Sequence, residues 1–202
     1  MPIKAIIFDL GGVLLRTTDF AQREHLAARL GMSRSELEEL IFWGESGSKA
    51  QRGEISIKQH LEYVRSVLNL SPEKFNEAID IFFAEDALDN DLVDYIRDLH
   101  RGFKTALLSN AANDLRKQIV KTWHIEDAFD TMVISGEVGM VKPDAQIYQL
   151  VLDRLGVKAS EAVFVDDAQT NIDAAIQVGL CGIRFRDARQ VQQDLATLLV
   201  ES

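Results

Sequence analysis

The run Ile6-Ile7-Phe8-Asp9-Leu10-Gly11-Gly12-Val13 constrains this chain more than any other stretch. Three apolar residues with no polar alternation describe a strand buried on both faces. A carboxylate inside such a strand would carry a large desolvation cost. Asp9 therefore belongs at the strand's carboxyl end, where the sheet opens to solvent and where open α/β sheets bind ligands. Gly11 and Gly12 let the backbone turn sharply and come close to whatever Asp9 faces. Taken alone, the same letters also describe a strand that ends in a polar turn, so the rest of the chain must decide.

From Val13 to about residue 85 the pattern is helical. Leu26 and Leu30 lie one turn apart in a first helix that Gly31 ends. Ser33 with Glu36, and Ser56 with Gln59, are capping boxes ahead of Leu37, Leu40 and Ile41 and of Ile57, Leu61, Val64 and Leu68. Ser71-Pro72 starts a fourth helix carrying Phe75, Ile79, Phe82 and Phe83. Residues 44–54, polar and holding Lys49 and Arg52, read as a loop. From about residue 90, strands and helices alternate. Strands are expected at 105–108, 132–134, 162–165 and 181–185. Helices are expected around Leu92–Leu99, over 112–123, from Lys142-Pro143-Asp144 to Gly156, around Ile172 and Ile176, and around Val191–Leu198; residues 135–141 read as a loop. Such alternation calls for right-handed crossovers and a parallel sheet covered on both faces. The expected fold is α/β: a three-layer core from residues 1–16 and 86–202, with a small all-helical cap, 17–85, inserted after the first strand.

Bulk properties narrow the function. The 202 residues suit one domain with an insertion, and an apolar share of 47% is enough for a packed core. A net charge of -10 argues against nucleic-acid and anionic-membrane partners, which require basic patches. Cys181 is the only cysteine, which excludes an intramolecular disulfide and suits a buried thiol in a reducing cytosol. No secretory leader or bilayer-spanning run is evident, so a cytoplasmic location is expected. The sequence carries no signal for an oligomeric state.

Four polar features fall at strand ends or helix starts: Asp9, Ser109-Asn110, Lys142 and Asp166-Asp167. Each has a plain alternative, namely a helix cap, a solvated lysine or acids that complement a helix dipole. Their order and placement together are what matter, because all strands of a parallel sheet end on one edge. Three carboxylates beside one lysine leave a negative balance that raises a carboxylate pKa unless a cation joins them. All-oxygen ligands suit Mg²⁺, which binds through few carboxylates plus substrate phosphate. Lys142 and the helix-start N–H groups after Ser109 can hold a phosphate dianion, and a carboxylate in line with its phosphorus is a nucleophile.

Asp9-Leu10-Gly11-Gly12-Val13, Ser109-Asn110, Lys142-Pro143 and Asp166-Asp167 together resemble the four motifs of the haloacid dehalogenase (HAD) superfamily, in order and over nearly the whole chain. The inserted helices resemble the all-helical cap of one of its subfamilies. The resemblance implies a Rossmann-like core and Mg²⁺-dependent hydrolysis of a small phosphorylated metabolite, a sugar phosphate among the options, through an aspartyl-phosphate. It makes Asp9 nucleophile and metal ligand, with the Gly11 carbonyl and Asp167 as further ligands and Asp166 binding the metal directly or through water. Ser109 and Asn110 would hold phosphate oxygens, and Lys142 would bridge nucleophile and phosphate. One departure stands out: the second aspartate that usually follows the nucleophile by two residues, as general acid and base, is Gly11 here. Some capped members also carry Asp-x-Gly, so the expectation here is that water or a cap residue donates the proton, or that the leaving group needs little help.

Two alternatives belong to other classes. A metal-independent 2-haloacid dehalogenase would attack carbon but leaves paired Asp166-Asp167 without purpose. A non-catalytic phosphate-binding regulatory protein is favoured by Gly11 alone. In the insertion, Lys49 and Arg52 can reach towards a substrate, and Arg16 and Thr17 fit a hinge. His25 and His60 read as surface residues or weak proton donors, and Trp43, Phe82 and Phe83 as internal packing. The insertion's net charge of -4 does not favour a polyanionic substrate.

Overall fold

The computed structural model describes residues 2–200. β1 (Ala5–Phe8) ends just before Asp9 and is buried throughout. A short strand, β2 (Leu15–Thr17), then leads into five helices: α1 (Ala21–Arg29), α2 (Arg34–Glu38), α3 (Glu45–Gln51), α4 (Ile57–Val67) and α5 (Pro72–Phe83). β3 (Asp86–Leu88) returns antiparallel to β2, pairing Thr17 with Asp86 and Leu15 with Leu88. The alternating part continues as α6 (Asn90–Leu99), β4 (Lys104–Ser109), α7 (Leu115–Gln118), β5 (Thr131–Ile134), α8 (Ser135–Val138) and α9 (Ala145–Leu155). It closes with β6 (Ala162–Asp166), α10 (Gln169–Val178), β7 (Cys181–Arg184) and α11 (Ala188–Val200).

β5, β4, β1, β6 and β7 form one parallel sheet in that order, with β1 central. Side chains alternate across it. Ile6, Phe8, Leu107 and Val165 pack towards Leu92, Ile96 and Leu195 on one face. Ile7, Leu108 and Phe164 pack towards Tyr148, Val151 and Ile172 on the other. The helices between β2 and β3 bury Leu26, Leu37, Ile41, Val64, Phe75 and Phe82 in a separate cluster.

The two-stranded ribbon carries the helical block. Thr17 Oγ1 donates to Asp86 at 2.7 Å, and Arg16 pairs with Asp89. Arg23 is buried, lies 4.2 Å from the centre of the Phe82 ring, and donates to Phe82 O, Glu38 and Asp86. One guanidinium thus ties α1 to α2, α5 and the ribbon. A planar, permanently charged fork with several donors suits that task.

The sequence expectations differ from this structure at several points. Residues 44–54 are not all loop, because α3 occupies most of them. Its buried face is Ser46, Gly47 and Ala50, too small to show an apolar period. A Cβ on Gly47 would lie 2.6 Å from Phe42 O, so glycine is what lets α3 pack there. The expected loop 135–141 begins with α8, and the helix expected at 112–123 starts at Leu115 and widens into a π turn over Ile119–Trp123. β2 and β3, of three residues each, are too short for a period to show. His60 is buried, with ring nitrogens 2.9 Å from Ser46 Oγ and 2.9 Å from Ile41 O, and is not a surface residue. Trp43 is 56% exposed, although Phe82 packs as expected. Cys181 is half-buried rather than buried.

Candidate active site

The parallel sheet brings the polar motifs to one edge. Asp9 follows β1, Ser109 ends β4 and Asp166 ends β6, on three adjacent strands. Lys142 arrives from the loop between α8 and α9. Its ammonium is buried, 2.8 Å from Asp9 Oδ1 and 2.7 Å from Asp166 Oδ2. Asn110 holds the backbone of that lysine from both sides: Nδ2 donates to Lys142 O at 2.9 Å, and Lys142 N donates to Oδ1 at 2.8 Å. Asn110 thus fixes Lys142, a task the sequence did not reveal.

Asp166 is wholly buried and fully engaged. Oδ1 accepts from Ala168 N at 2.8 Å, Oδ2 accepts from Lys142, and Asn171 Nδ2 spans both oxygens at 3.1 and 3.0 Å. Tyr148 OH donates to Asn171 O and so steadies the first turn of α10. Asp167, next in the chain, is more exposed. Its carboxylate lies against the α-carbon of Gly12: a Cβ there would stand 2.3 Å from Asp167 Oδ2, and Gly12 has φ +76°. Gly12 is therefore glycine for two reasons, conformation and close approach. Gly11 bridges to Leu15 and has open space around its α-carbon.

Asp9, Asp166 and Asp167 each offer an oxygen within 4.8 Å of the others. One lysine does not balance three carboxylates. Burial pushes the Asp9 carboxyl up to about 7; Lys142 pulls it down, and the neighbouring Asp166 pushes it further up. Burial, then Asp166, also raises Asp167. Tyr148 is raised by burial and by the nearby acids, which keeps its hydroxyl a donor. This donor set, oxygen only and short of positive charge, fits a small hard cation.

Ser109 is buried at the end of β4, beside this cluster on the next strand. Lys49 is engaged by Glu45 at 2.6 Å, and His25 is exposed. Sequence reasoning missed Asn171 and Tyr148. For Asn171 the available signal was a polar side chain in the first helical turn after a strand-end acid; for Tyr148, in α9, there was none.

A model of haloacid dehalogenase-like hydrolases matches residues 3–179. Bifunctional epoxide hydrolase 2 of Sus scrofa is 31% identical over 96% of this chain, which spans 38% of that protein's length. Sesquiterpene phosphatase astK of Aspergillus oryzae is 26% identical over 97% of this chain and 96% of its own. A HAD family enzyme from Bacteroides thetaiotaomicron, solved with magnesium and inorganic phosphate, superposes with a TM-score of 0.74 at 23% identity, covering 91% of this chain and 94% of that one. No helix among the described residues is long and apolar enough to cross a membrane.

Proposed function

The chain belongs to the haloacid dehalogenase-like hydrolase family, and on that premise we propose that it is a Mg²⁺-dependent phosphatase acting on a small phosphomonoester through an aspartyl-phosphate on Asp9. One observation carries this reading: three strand-end carboxylates within 4.8 Å of one another, two of them bridged by a buried lysine. The phosphatase named among the relatives and the magnesium and phosphate bound by the structural relative support it.

Asp9, Asp167 and the Gly11 carbonyl would hold the ion, and Asp166, whose oxygens already accept from Lys142, Ala168 N and Asn171, would reach it through water. When bound, it offsets the negative charge of nucleophile and phosphate. Asp9 Oδ2, the oxygen not paired with Lys142, attacks phosphorus, and the leaving alkoxide departs on the opposite side. Lys142 stays paired with Asp9 and Asp166, lowering the repulsion between an anionic nucleophile and an anionic ester. Ser109 and Asn110 contribute N–H and O–H donors to the phosphoryl oxygens. Asp166, held by Asn171 and Ala168 N, keeps the lysine in place. Water then attacks phosphorus, breaks the acyl-phosphate P–O bond and regenerates Asp9. Gly11 supplies no side-chain proton, so water or a group on the helical block serves the leaving oxygen, and good leaving groups react fastest.

In this reading residues 17–85 are a cap that closes over the strand ends, excludes water and reads the leaving group. Turnover of p-nitrophenyl phosphate with Mg²⁺ and with EDTA tests the proposal. Metal-dependent release of nitrophenol is expected; tight phosphate binding without turnover, or EDTA-insensitive halide release from a 2-haloacid, would overturn it.

A further inference from the structure

The helical block touches the core at a second place besides its ribbon. The end of α3 rests on α8: a Cβ on Gly53 (φ +70°) would lie 2.5 Å from Gly136 O, and one on Gly139 would lie 3.9 Å from Arg52 O. Gly136 is equally confined, since a Cβ there would meet Ala111 O and Asn113 N at 2.8 Å each. Gly136 N also donates to Ala111 O at 2.9 Å. Ala111 directly succeeds Ser109-Asn110. Arg52 therefore sits two backbone contacts from the segment that flanks Lys142 and Asp9.

The sheet order gives the span. The ribbon rises after β1, and the seam lies beyond β5, two strands away, or about 10 Å at ordinary strand spacing. Ser109 ends β4, the strand between the two that lead to these supports, and Asp9 follows β1 itself. An extended arginine side chain spans about 6 Å, more than the single strand spacing of about 5 Å that separates β5 from β4.

Charge singles out the same residue. Arg23, Arg29, Arg34, Lys49 and Arg65 of the block each pair with a carboxylate. Arg52 is exposed and makes no side-chain hydrogen bond or ion pair among the described residues. Lys58 and Lys74 are also without an ion pair among the described residues; they lie on α4 and α5, whereas Arg52 directly precedes Gly53 at the seam.

Resting on the phosphatase reading, we propose that Arg52 is a specificity-determining residue that holds one further anionic group, a carboxylate or a second phosphate, on a short leaving group. One unpaired cation fits one added anion, in keeping with the net acidic block. The backbone contact at Gly53 and Gly136 leaves no space between block and core at that point, which favours a short leaving group beside it.

The test compares three probes of similar length: phosphoglycolate, ethylene glycol bisphosphate and ethylene glycol monophosphate, with Mg²⁺. A charge-assisted pair to arginine corresponds to about a tenfold to hundredfold effect. The wild type is expected to show a KM about tenfold lower for at least one anionic probe than for the neutral one. Arg52→Ala should raise the anionic KM at least about tenfold more than the neutral KM, with kcat less affected, and Arg52→Lys should restore part of the difference. The two anionic probes tell a carboxylate from a phosphate. Equal losses on charged and neutral probes, or no loss on either, would overturn the assignment while leaving metal-dependent turnover intact. No turnover of any probe by the wild type would remove the phosphatase reading and this inference with it.

Discussion

Replacing Asp9 by asparagine should make the metal-free protein more stable while abolishing turnover. Asp9 is 7% exposed, and its pKa rises from 3.8 to about 7, chiefly through burial. The folded state therefore binds this proton more tightly than the unfolded chain does. Below pH 4 the carboxyl is protonated in both states and costs nothing. As pH rises from 4 through 7, ionisation is free in the unfolded chain and opposed in the folded one, so stability falls. A rise of about three pH units, at about 1.36 kcal/mol each, makes the full cost about 4 kcal/mol above pH 7. The asparagine variant would carry no such cost, and Lys142 would keep Asp166 at 2.7 Å. The value of about 7 already includes the attraction of Lys142, so the expected gain at pH 8 is about 4 kcal/mol. For a chain of this length each kcal/mol moves Tm by about 2–4 °C. Thermal unfolding in EDTA at pH 4 and pH 8 measures it. The variant should match the wild type at pH 4 and melt several degrees higher at pH 8. Added Mg²⁺ should raise the wild type and narrow the gap. A variant less stable than the wild type at pH 8 in EDTA would refute the argument that Asp9 is held against its burial cost for function.

Three other substitutions probe separate parts of the account. Gly12→Ala places a Cβ on the Asp167 carboxylate and strains a left-handed backbone; displacing a ligand in this way should weaken Mg²⁺ binding at least about tenfold by calorimetry, and unchanged affinity would remove Asp167 from the ligand set. Arg23→Ala leaves Glu38 with Arg34 and Asp86 with Thr17 as remaining partners and should cost about 2–3 kcal/mol in denaturant unfolding, with a loss below about 1 kcal/mol showing that the ribbon and helices do not depend on it. Gly11→Asp meets nothing within 4 Å of its Cβ and should raise turnover of alkyl phosphates, up to about a hundredfold if proton transfer limits the rate; a large loss would give the glycine a positive role of its own.

Much of the sheet was legible because its strands are buried on both faces, and unalternated runs such as Ile6–Phe8 leave little else to be. The strand-end acids were legible for the same reason: charge at the end of an apolar run must lie where the sheet opens. Capping boxes marked α2 and α4, and both form, with Ser33 and Ser56 each accepting from the backbone three residues on. What the letters hid depends on contacts between distant segments. α3 buries small residues, so its packing is visible only once Phe42 is seen to approach Gly47. Asn110 and Asn171 are ordinary turn and helix-start residues until the fold sets them against Lys142 and Asp166. His60 reads as polar, but its two ring nitrogens both find partners inside the helical block.

The central claim is that Asp9 becomes covalently phosphorylated. Acid quenching of the Mg²⁺-loaded protein during turnover of p-nitrophenyl phosphate, with peptide mass analysis of the product, reads this directly. The account predicts one added phosphoryl group on the peptide bearing Asp9, absent in EDTA and absent from Asp9→Asn. Phosphate on any other residue, or full turnover by Asp9→Asn, would contradict it.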